Sequence, residues 1–194
     1  MAEAKRYQHY ELAELVLQSP SRFRWSLQGF GMLRFYITQE LRLHIWDSAF
    51  RVGAVSGIHT HPWHFVSTVL CGRLTQYRYT EETNGGKAFK RYVIRAGEGG
   101  GLEGEPDHVL LAQSPLEVVH PGQQYCQRAE EIHLSVPDDG TMTIVHRELA
   151  DPRFPDHAYV YVPADEEWVS AEPREATREE VEAICERALD RAFS

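Results

Sequence analysis

Short runs of alternating apolar and polar residues recur along most of this 194-residue chain, and a period of two predicts β-strands. Residues 41–46 are typical, because leucine and isoleucine alternate there with arginine, histidine and tryptophan, so the two sets face opposite sides of a sheet. Gly85-Gly86 predicts a hairpin turn ahead of a returning strand. Strands are predicted at residues 33–37, 41–46, 58–79 with interruptions at Pro62 and Gly72, 89–94, 109–111, 116–119, 124–126, 132–136, 141–147 and 157–162.

Helical periodicity is confined to the two ends of the chain. Residues 8–18 carry leucine and valine at helical spacing. Residues 177–193 begin with a capping box, Thr177 followed three residues later by Glu180, and continue with an apolar stripe. Many short strands between two helices predict an all-β protein, one antiparallel barrel or sandwich with flanking N- and C-terminal helices. We find no dividing linker, so residues 1–194 are predicted to form one domain, with the barrel at about 30–163.

The charge balance narrows the classes of partner. The chain carries 29 acidic and 20 basic residues, a net charge of −9, whereas nucleic acid and anionic membranes attract basic surfaces. We therefore expect no nucleic-acid or membrane partner, and predict a small-molecule substrate. The N-terminus lacks the features of a signal peptide. The three widely spaced cysteines make no disulfide framework, which fits a cytoplasmic setting.

One stretch has a spacing that indicates chemistry: Gly53, five residues, His59, one residue, His61, three residues, Phe65, six residues, Gly72. Residues i and i+2 of a strand point the same way, so His59 and His61 would aim two imidazoles at one point. Convergent imidazoles are suitable ligands for iron, nickel, copper and zinc. The stretch is therefore a candidate metal site.

The same spacing resembles the first motif of the cupin family, Gly-x5-His-x-His-x3–4-Glu-x6-Gly, with Phe65 in the position of the glutamate. The second cupin motif, Gly-x5-Pro-x-Gly-x2-His-x3-Asn, is matched by the separation of Gly122 and His133. Its interior is not kept, since its proline, second glycine and asparagine are replaced by Arg128, Glu130 and Pro137. The resemblance is carried by these two segments, which are a minority of the chain.

The resemblance implies a small jelly-roll barrel in which His59, His61 and His133 are ligands of one divalent transition metal. The family's glutamate ligand has no counterpart here, because a phenyl ring cannot bind a cation. His64 is a candidate replacement, since a bulge at the preceding Pro62-Trp63 could turn it inward.

Within the cupins, a site of three histidines without the glutamate looks most like that of the thiol dioxygenases. That likeness implies Fe(II) as the metal and a mononuclear non-haem oxygenase acting on a small anionic substrate, with a thiol as one candidate. Zinc or nickel would instead favour an isomerase or hydrolase, and a barrel that binds a small ligand without turnover is the remaining alternative. Cupins commonly pair their barrels, so a homodimer is expected.

Four further residues are candidates for binding the substrate. Strict alternation puts Ser67 on the face of the paired histidines, and Tyr125 is a candidate hydrogen-bond donor. Arg34 or Arg147 could hold a substrate carboxylate in a bidentate fork. With no carboxylate ligand the metal would keep its full positive charge, which favours an anionic substrate.

Overall fold

The structure is a computed structural model that describes residues 2–51, 57–95, 102–148, 156–167 and 173–193. These residues form the helices α1 (Ala2–Leu17) and α2 (Arg178–Phe193), a 3-10 turn at Pro20–Arg22 and fourteen strands. The strands are β1 (Ser26–Gln28), β2 (Phe30–Tyr36), β3 (Leu41–Arg51), β4 (Ile58–His59), β5 (Phe65–Cys71), β6 (Leu74–Glu82), β7 (Lys87–Arg95), β8 (Leu102–Gln113), β9 (Glu117–Val119), β10 (Gln124–Gln127), β11 (Ile132–Pro137), β12 (Met142–Arg147), β13 (His157–Pro163) and β14 (Arg174–Glu175). Gly53 lies outside the described residues.

The strands make two seven-stranded antiparallel sheets. Sheet A has the order β10-β5-β12-β3-β2-β1-β14, and sheet B the order β11-β4-β13-β7-β8-β6-β9. The stretch predicted as one interrupted strand is three strands, because the chain moves from sheet B to sheet A near Pro62 and back at Gly72. Gly72 has a φ of 75°, and a Cβ there would lie 2.5 Å from Thr141 Oγ1. The predicted all-β fold with flanking helices is confirmed, and the two sheets are consistent with a cupin-type jelly roll.

The largest apolar core lies between sheet A and the two helices. Leu43 and Ile45, on one face of β3, are buried there with Val181 of α2, and burial of each such side chain contributes roughly 1.5–3 kcal/mol. The predicted capping box is present, since the Thr177 N–H donates to Glu180 Oε2 (2.8 Å) and the Glu180 N–H donates to Thr177 Oγ1 (3.3 Å). No helix among the described residues has the length and apolar character needed to cross a membrane. The helices thus cover one face of sheet A, and the opposite face carries polar side chains beside a second apolar cluster that includes Phe65, Val69 and Val145.

Sheet B closes on itself. An additional pairing of β11 with β6 joins six of its strands into a ring. Each of these strands contributes to one apolar cluster, which includes Ile58, Tyr79, Phe89, Leu111, Ile132 and Tyr161. Since side chains alternate along a strand, the neighbours His59 and His133 face away from this cluster. Strands β4 and β11 therefore have an apolar face and a histidine-bearing face.

The predicted hairpin at Gly85-Gly86 is wrong in its pairing. Strand β8 lies between β6 and β7, so that Glu81 and Lys87 both pair with Leu111 from opposite edges. The chain passes over β8 at Gly86, where an added Cβ would lie 2.6 Å from the Leu111 carbonyl oxygen. A local turn signal cannot reveal this, because the intervening strand comes later in the sequence.

Glu130 occupies the position of the glycine in the second cupin motif, and its φ is 64°. This left-handed conformation costs a non-glycine residue roughly 1–2 kcal/mol. It lets the Glu130 N–H donate to the His61 carbonyl at 2.9 Å. The backbone geometry that the motif assigns to glycine is thus kept without the glycine, in a turn that holds the histidine segment.

We expect Glu130→Gly to raise the free energy of unfolding by about 0.5 kcal/mol, because the relieved strain exceeds the added chain entropy. Glu130→Val should lower it by about 1 kcal/mol or more, since a β-branched side chain fits this conformation poorly. Urea denaturation measures both. At Glu117, which is exposed in β9, the same pair should rank in the reverse order. Equal free energies of unfolding for the two Glu130 variants would show that the backbone of Glu130 is not strained.

Candidate metal centre

The three predicted histidines come together from two neighbouring strands. His59 in β4 lies directly opposite His133 in β11. Thr60 keeps the backbone extended beyond β4, because its N–H donates to the Tyr159 carbonyl and its Oγ1 accepts from the Tyr159 N–H, each at 2.9 Å. His61 therefore falls on the same side as His59, and the rings of His61 and His133 are 5.2 Å apart between centroids.

The spacing of the ring nitrogens suits a shared ion. One ligand atom from each histidine lies within 4.8 Å of the other two. The Nε2 atoms of His59 and His61 are 3.0 Å apart. Two nitrogens bound at a right angle, each about 2.1 Å from one metal ion, would be about 3.0 Å apart. The residues present therefore fit a mononuclear transition-metal site.

Neighbouring acceptors set the protonation of two rings. A carbonyl can only accept, so the Nδ1 of His59, which is 2.8 Å from the Gly57 oxygen, carries the proton. The Nδ1 of His133 donates to Gln76 Oε1 at 3.3 Å, and Gln76 donates in turn to Ser135 Oγ at 2.7 Å. Both Nε2 atoms are thereby left with a lone pair. His133 Nε2 is buried and has no hydrogen-bond partner within the described part of the chain, so its lone pair is free to bind a metal ion.

Burial keeps the three imidazoles neutral. It lowers the pKa of His59, and it lowers the pKa of His61 and of His133 well below the usual 6.5. For His61, the positive charge of Arg42 is among the further causes. Neutral imidazole is the form that binds metal, so little proton competition is expected at neutral pH.

Phe65, at the position of the cupin glutamate, and Trp63 place aromatic rings beside the histidines. The Phe65 ring is 5.1 Å from the His61 ring and 6.1 Å from the His133 ring, and Trp63 packs 5.4 Å from His61. His64, the predicted replacement ligand, is not part of the group of three. Its Nδ1 instead accepts the Ala129 N–H at 2.7 Å, since alternation turns it to the other side. The prediction that His64 supplies a fourth ligand is corrected accordingly.

The four predicted substrate-binding residues lie on the face of sheet A that carries Phe65. Ser67 is fully buried and pairs across the strands with Tyr125, whose phenol interacts with the Ser67 hydroxyl. Burial raises the pKa of the Tyr125 phenol, so it stays protonated and can donate. Arg34 Nε donates to Ser26 Oγ at 3.2 Å, and Arg147 Nε donates to the Gln39 carbonyl at 2.7 Å. Among the described residues, neither arginine forms a hydrogen bond with His59, His61 or His133.

Sequence reasoning missed Arg42, His44 and Gln76 as site residues. Arg42 and His44 alternate with leucine and isoleucine in β3, a pattern that also describes a solvent-facing side. Gln76 has no motif at all, and its role depends on the pairing of β6 with β11. The parity that Arg42 and His44 share with Trp46 places them on one face of β3, but parity alone does not say whether that face meets solvent or an interior.

Comparison with known proteins does not identify the family of this chain. No protein-family model and no curated protein matches the chain. Among solved structures, a chain described as "Crystal structures of DMSP lyases RdDddP and RnDddQII" aligns at 14% identity with a TM-score of 0.26. The alignment covers 72% of this chain and 46% of the other, so this chain spans less than half of that neighbour. The two-sheet fold and the three-histidine group fit a cupin.

We expect the metal-free protein to lose stability as the pH falls below about 6.5, where an unfolded histidine takes up a proton. The folded state binds that proton only at lower pH, since burial lowers the pKa of His133, so the unfolded state binds more protons in this window. Each such group adds about 1.4 kcal/mol per pH unit to the slope. Urea denaturation in EDTA at pH 7.5, 6.5 and 5.5 measures it.

His133→Gln should reduce this slope by up to about 1 kcal/mol per pH unit. His120→Gln is the matched control, because the His120 side chain is exposed, and it should leave the slope unchanged. If the free energy of unfolding changed with pH equally in the wild-type protein and in His133→Gln, the conclusion that His133 is buried as a neutral imidazole would be refuted.

Proposed function

We propose that this chain is a mononuclear non-haem oxygenase in which His59, His61 and His133 hold Fe(II), and that its substrate is a small anion, with a thiol as one candidate. The observation that carries the proposal is the convergence of three neutral imidazoles, with His133 Nε2 buried and unpartnered within the described residues. Such an atom loses about 1–3 kcal/mol of hydrogen bonding, which a metal bond would offset.

The number and kind of ligands favour a catalytic site over a structural one. Structural sites are closed by four protein ligands, whereas three leave coordination positions open. Phe65 in place of a carboxylate leaves the charge of a divalent ion uncompensated by the protein, which favours an anionic substrate donor. Iron(II) bound there would supply the redox chemistry with O₂ that amino-acid side chains lack.

The surrounding side chains would position the substrate and exclude water. Phe65 and Trp63 form an aromatic side against His61, and a dry site strengthens electrostatic attraction. The neutral Tyr125 phenol and the buried Ser67 hydroxyl, on paired positions of β10 and β5, would donate hydrogen bonds to substrate. Gln76 would keep the His133 ring in the protonation state that presents Nε2.

Elemental analysis of protein purified without a histidine tag is expected to find about one transition-metal ion per chain. His61→Ala should reduce this to background, because two neutral nitrogens bind such ions far more weakly than three. His120→Ala, an exposed histidine, should retain the full content. Metal content that is equal in His61→Ala and the wild type would count against the site.

Activity of the same preparations separates the candidate functions. Iron-loaded wild-type protein should consume O₂ with the probe 3-mercaptopropionate, and His61→Ala should not. Zinc or nickel as the native metal, with no O₂ uptake, would favour an isomerase or hydrolase instead. Saturable binding of the probe without any turnover would favour a ligand-binding barrel.

We expect Gln76→Leu to weaken metal binding about 10–100-fold, because the His133 ring loses the acceptor that fixes its orientation. The matched control is Gln113→Leu, since Gln113 is exposed at the end of β8. Competition titration against a metal-binding dye measures the dissociation constants. Unchanged affinity in Gln76→Leu would show that this hydrogen bond does not orient the ligand.

A further inference from the structure

Arg42 is the most deeply buried arginine among the described residues, with 6% of its surface exposed. Its Nε has no hydrogen-bond partner in the described part of the chain. A buried charged group that leaves a donor unpaired costs free energy, and proteins retain one where it serves a purpose other than stability. Burial, with the nearby charges of Arg147 and Arg34, lowers the pKa of Arg42 to about 10, so the group is still charged at neutral pH.

Aromatic rings hold three guanidinium groups together. Tyr36 lies between Arg34 (5.0 Å from the ring centroid) and Arg42 (4.6 Å). Trp63 lies between Arg42 and Arg147, at 5.2 Å from each. The faces of the rings attract the cations and so bring like charges together. We call this alternating set the arginine stack.

The positive charges of the arginine stack are not neutralised by described carboxylates, and polar atoms beside it lack hydrogen-bond partners among the described residues. No carboxylate of the described residues forms an ion pair with Arg34 or Arg42. His44 lies opposite both Arg34 and Thr143 on the neighbouring strands, and two residues from Arg42 on β3. His44 Nε2 and Thr143 Oγ1 are also buried without a hydrogen-bond partner in the described segments. Unmet polar atoms and excess positive charge thus share one face.

We propose that the arginine stack and the neighbouring His44 and Thr143 bind the head group of a small molecule, a doubly charged oxyanion of the phosphate or dicarboxylate type. As a substrate subsite the proposal rests on the proposed function, whereas the anion binding does not. A single carboxylate would neutralise one guanidinium and leave the others repelling each other. Two negative charges match the stack better, and the planar guanidinium forks suit paired oxygens.

The location relates this head group to the candidate metal centre. Trp63 contacts the His61 ring on one side and the guanidinium groups of Arg42 and Arg147 on another. One indole ring therefore separates a metal ligand from the arginine stack. Tyr36, at one end of the stack, is 42% exposed, so that end of the stack borders solvent. A small substrate could then place its anionic head on the arginines and its reacting end near the metal.

The test is isothermal titration calorimetry at pH 8 and low ionic strength with inorganic phosphate, malonate and acetate, on protein as purified and after EDTA treatment. We expect phosphate or malonate to bind at least tenfold more tightly than acetate. Arg42→Gln should weaken that binding at least tenfold. Arg42→Lys should give an intermediate loss, because it keeps the charge but not the fork. Arg128→Gln, which removes the same charge from an exposed side chain, should change the dissociation constant less than twofold.

The preferred dianion identifies the head group, phosphate indicating a phosphate-type group and malonate a dicarboxylate. Thermal denaturation shows whether the variants fold, and Arg42→Gln should melt at or above the wild-type temperature, because it removes a buried charge that no carboxylate of the described residues neutralises. Equal affinity for acetate and both dianions, equal affinity in Arg42→Gln, or a lower melting temperature in Arg42→Gln without any dianion binding would each overturn the proposal.

His61→Ala distinguishes the two proposals. It should lose metal and keep phosphate or malonate binding within twofold of the EDTA-treated wild type. Dianion binding in a protein that takes up no metal would refute the oxygenase and support the anion subsite. Metal binding in a protein that does not distinguish dianions from acetate would do the reverse.

Discussion

The candidate site depends on one register, the pairing of β4 with β11 that sets His59 opposite His133. A slip of one residue would exchange the two faces of a strand. Ile132 would then face the metal side, and His133 would enter the apolar cluster enclosed by sheet B. Because the neighbours Ile58 and Ile132 are held in that cluster, hydrophobic burial on one face fixes the histidines on the other.

The same division of faces explains how the barrel can keep a polar interior. Sheet A buries its apolar face against the two helices, and the apolar face of the β4–β11 pair is buried inside the ring of sheet B. Two of the three apolar clusters therefore lie outside the space between the sheets, and the third, which includes Phe65, Val69 and Val145, lies between them. Beside this third cluster, polar atoms with no hydrogen-bond partner among the described residues lie on Arg42, His44, Thr143 and His133. Local rules broken in this way are expected at functional sites.

The replacement of a carboxylate by Phe65 changes the charge of this interior. With neutral imidazoles as the ligands, and with Arg34, Arg42 and Arg147 nearby, the described side chains offer no anion to a divalent ion. The aromatic rings of Trp63 and Tyr36 separate the cations and soften their repulsion. An anionic small molecule would complete this arrangement, so the missing glutamate and the arginine stack point to the same chemistry.

Local pattern in the chain was enough for most of the strands, the terminal helices and the shared direction of His59 and His61, because these depend on neighbours a few residues apart. It did not reveal β1, β14 or the first half of β8. The spacing from Gly122 also identified His133, even though Glu130 had replaced the motif glycine that its left-handed backbone imitates. Long-range pairing decided the remainder: β8 between β6 and β7, Gln76 behind His133, and His64 bonded to Ala129 instead of a metal. Packing also decided the surroundings of Arg42 and His44: the opposite face of β3 is covered by α1 and by α2, which begins more than 130 residues after them, and no local periodicity records contacts of that range.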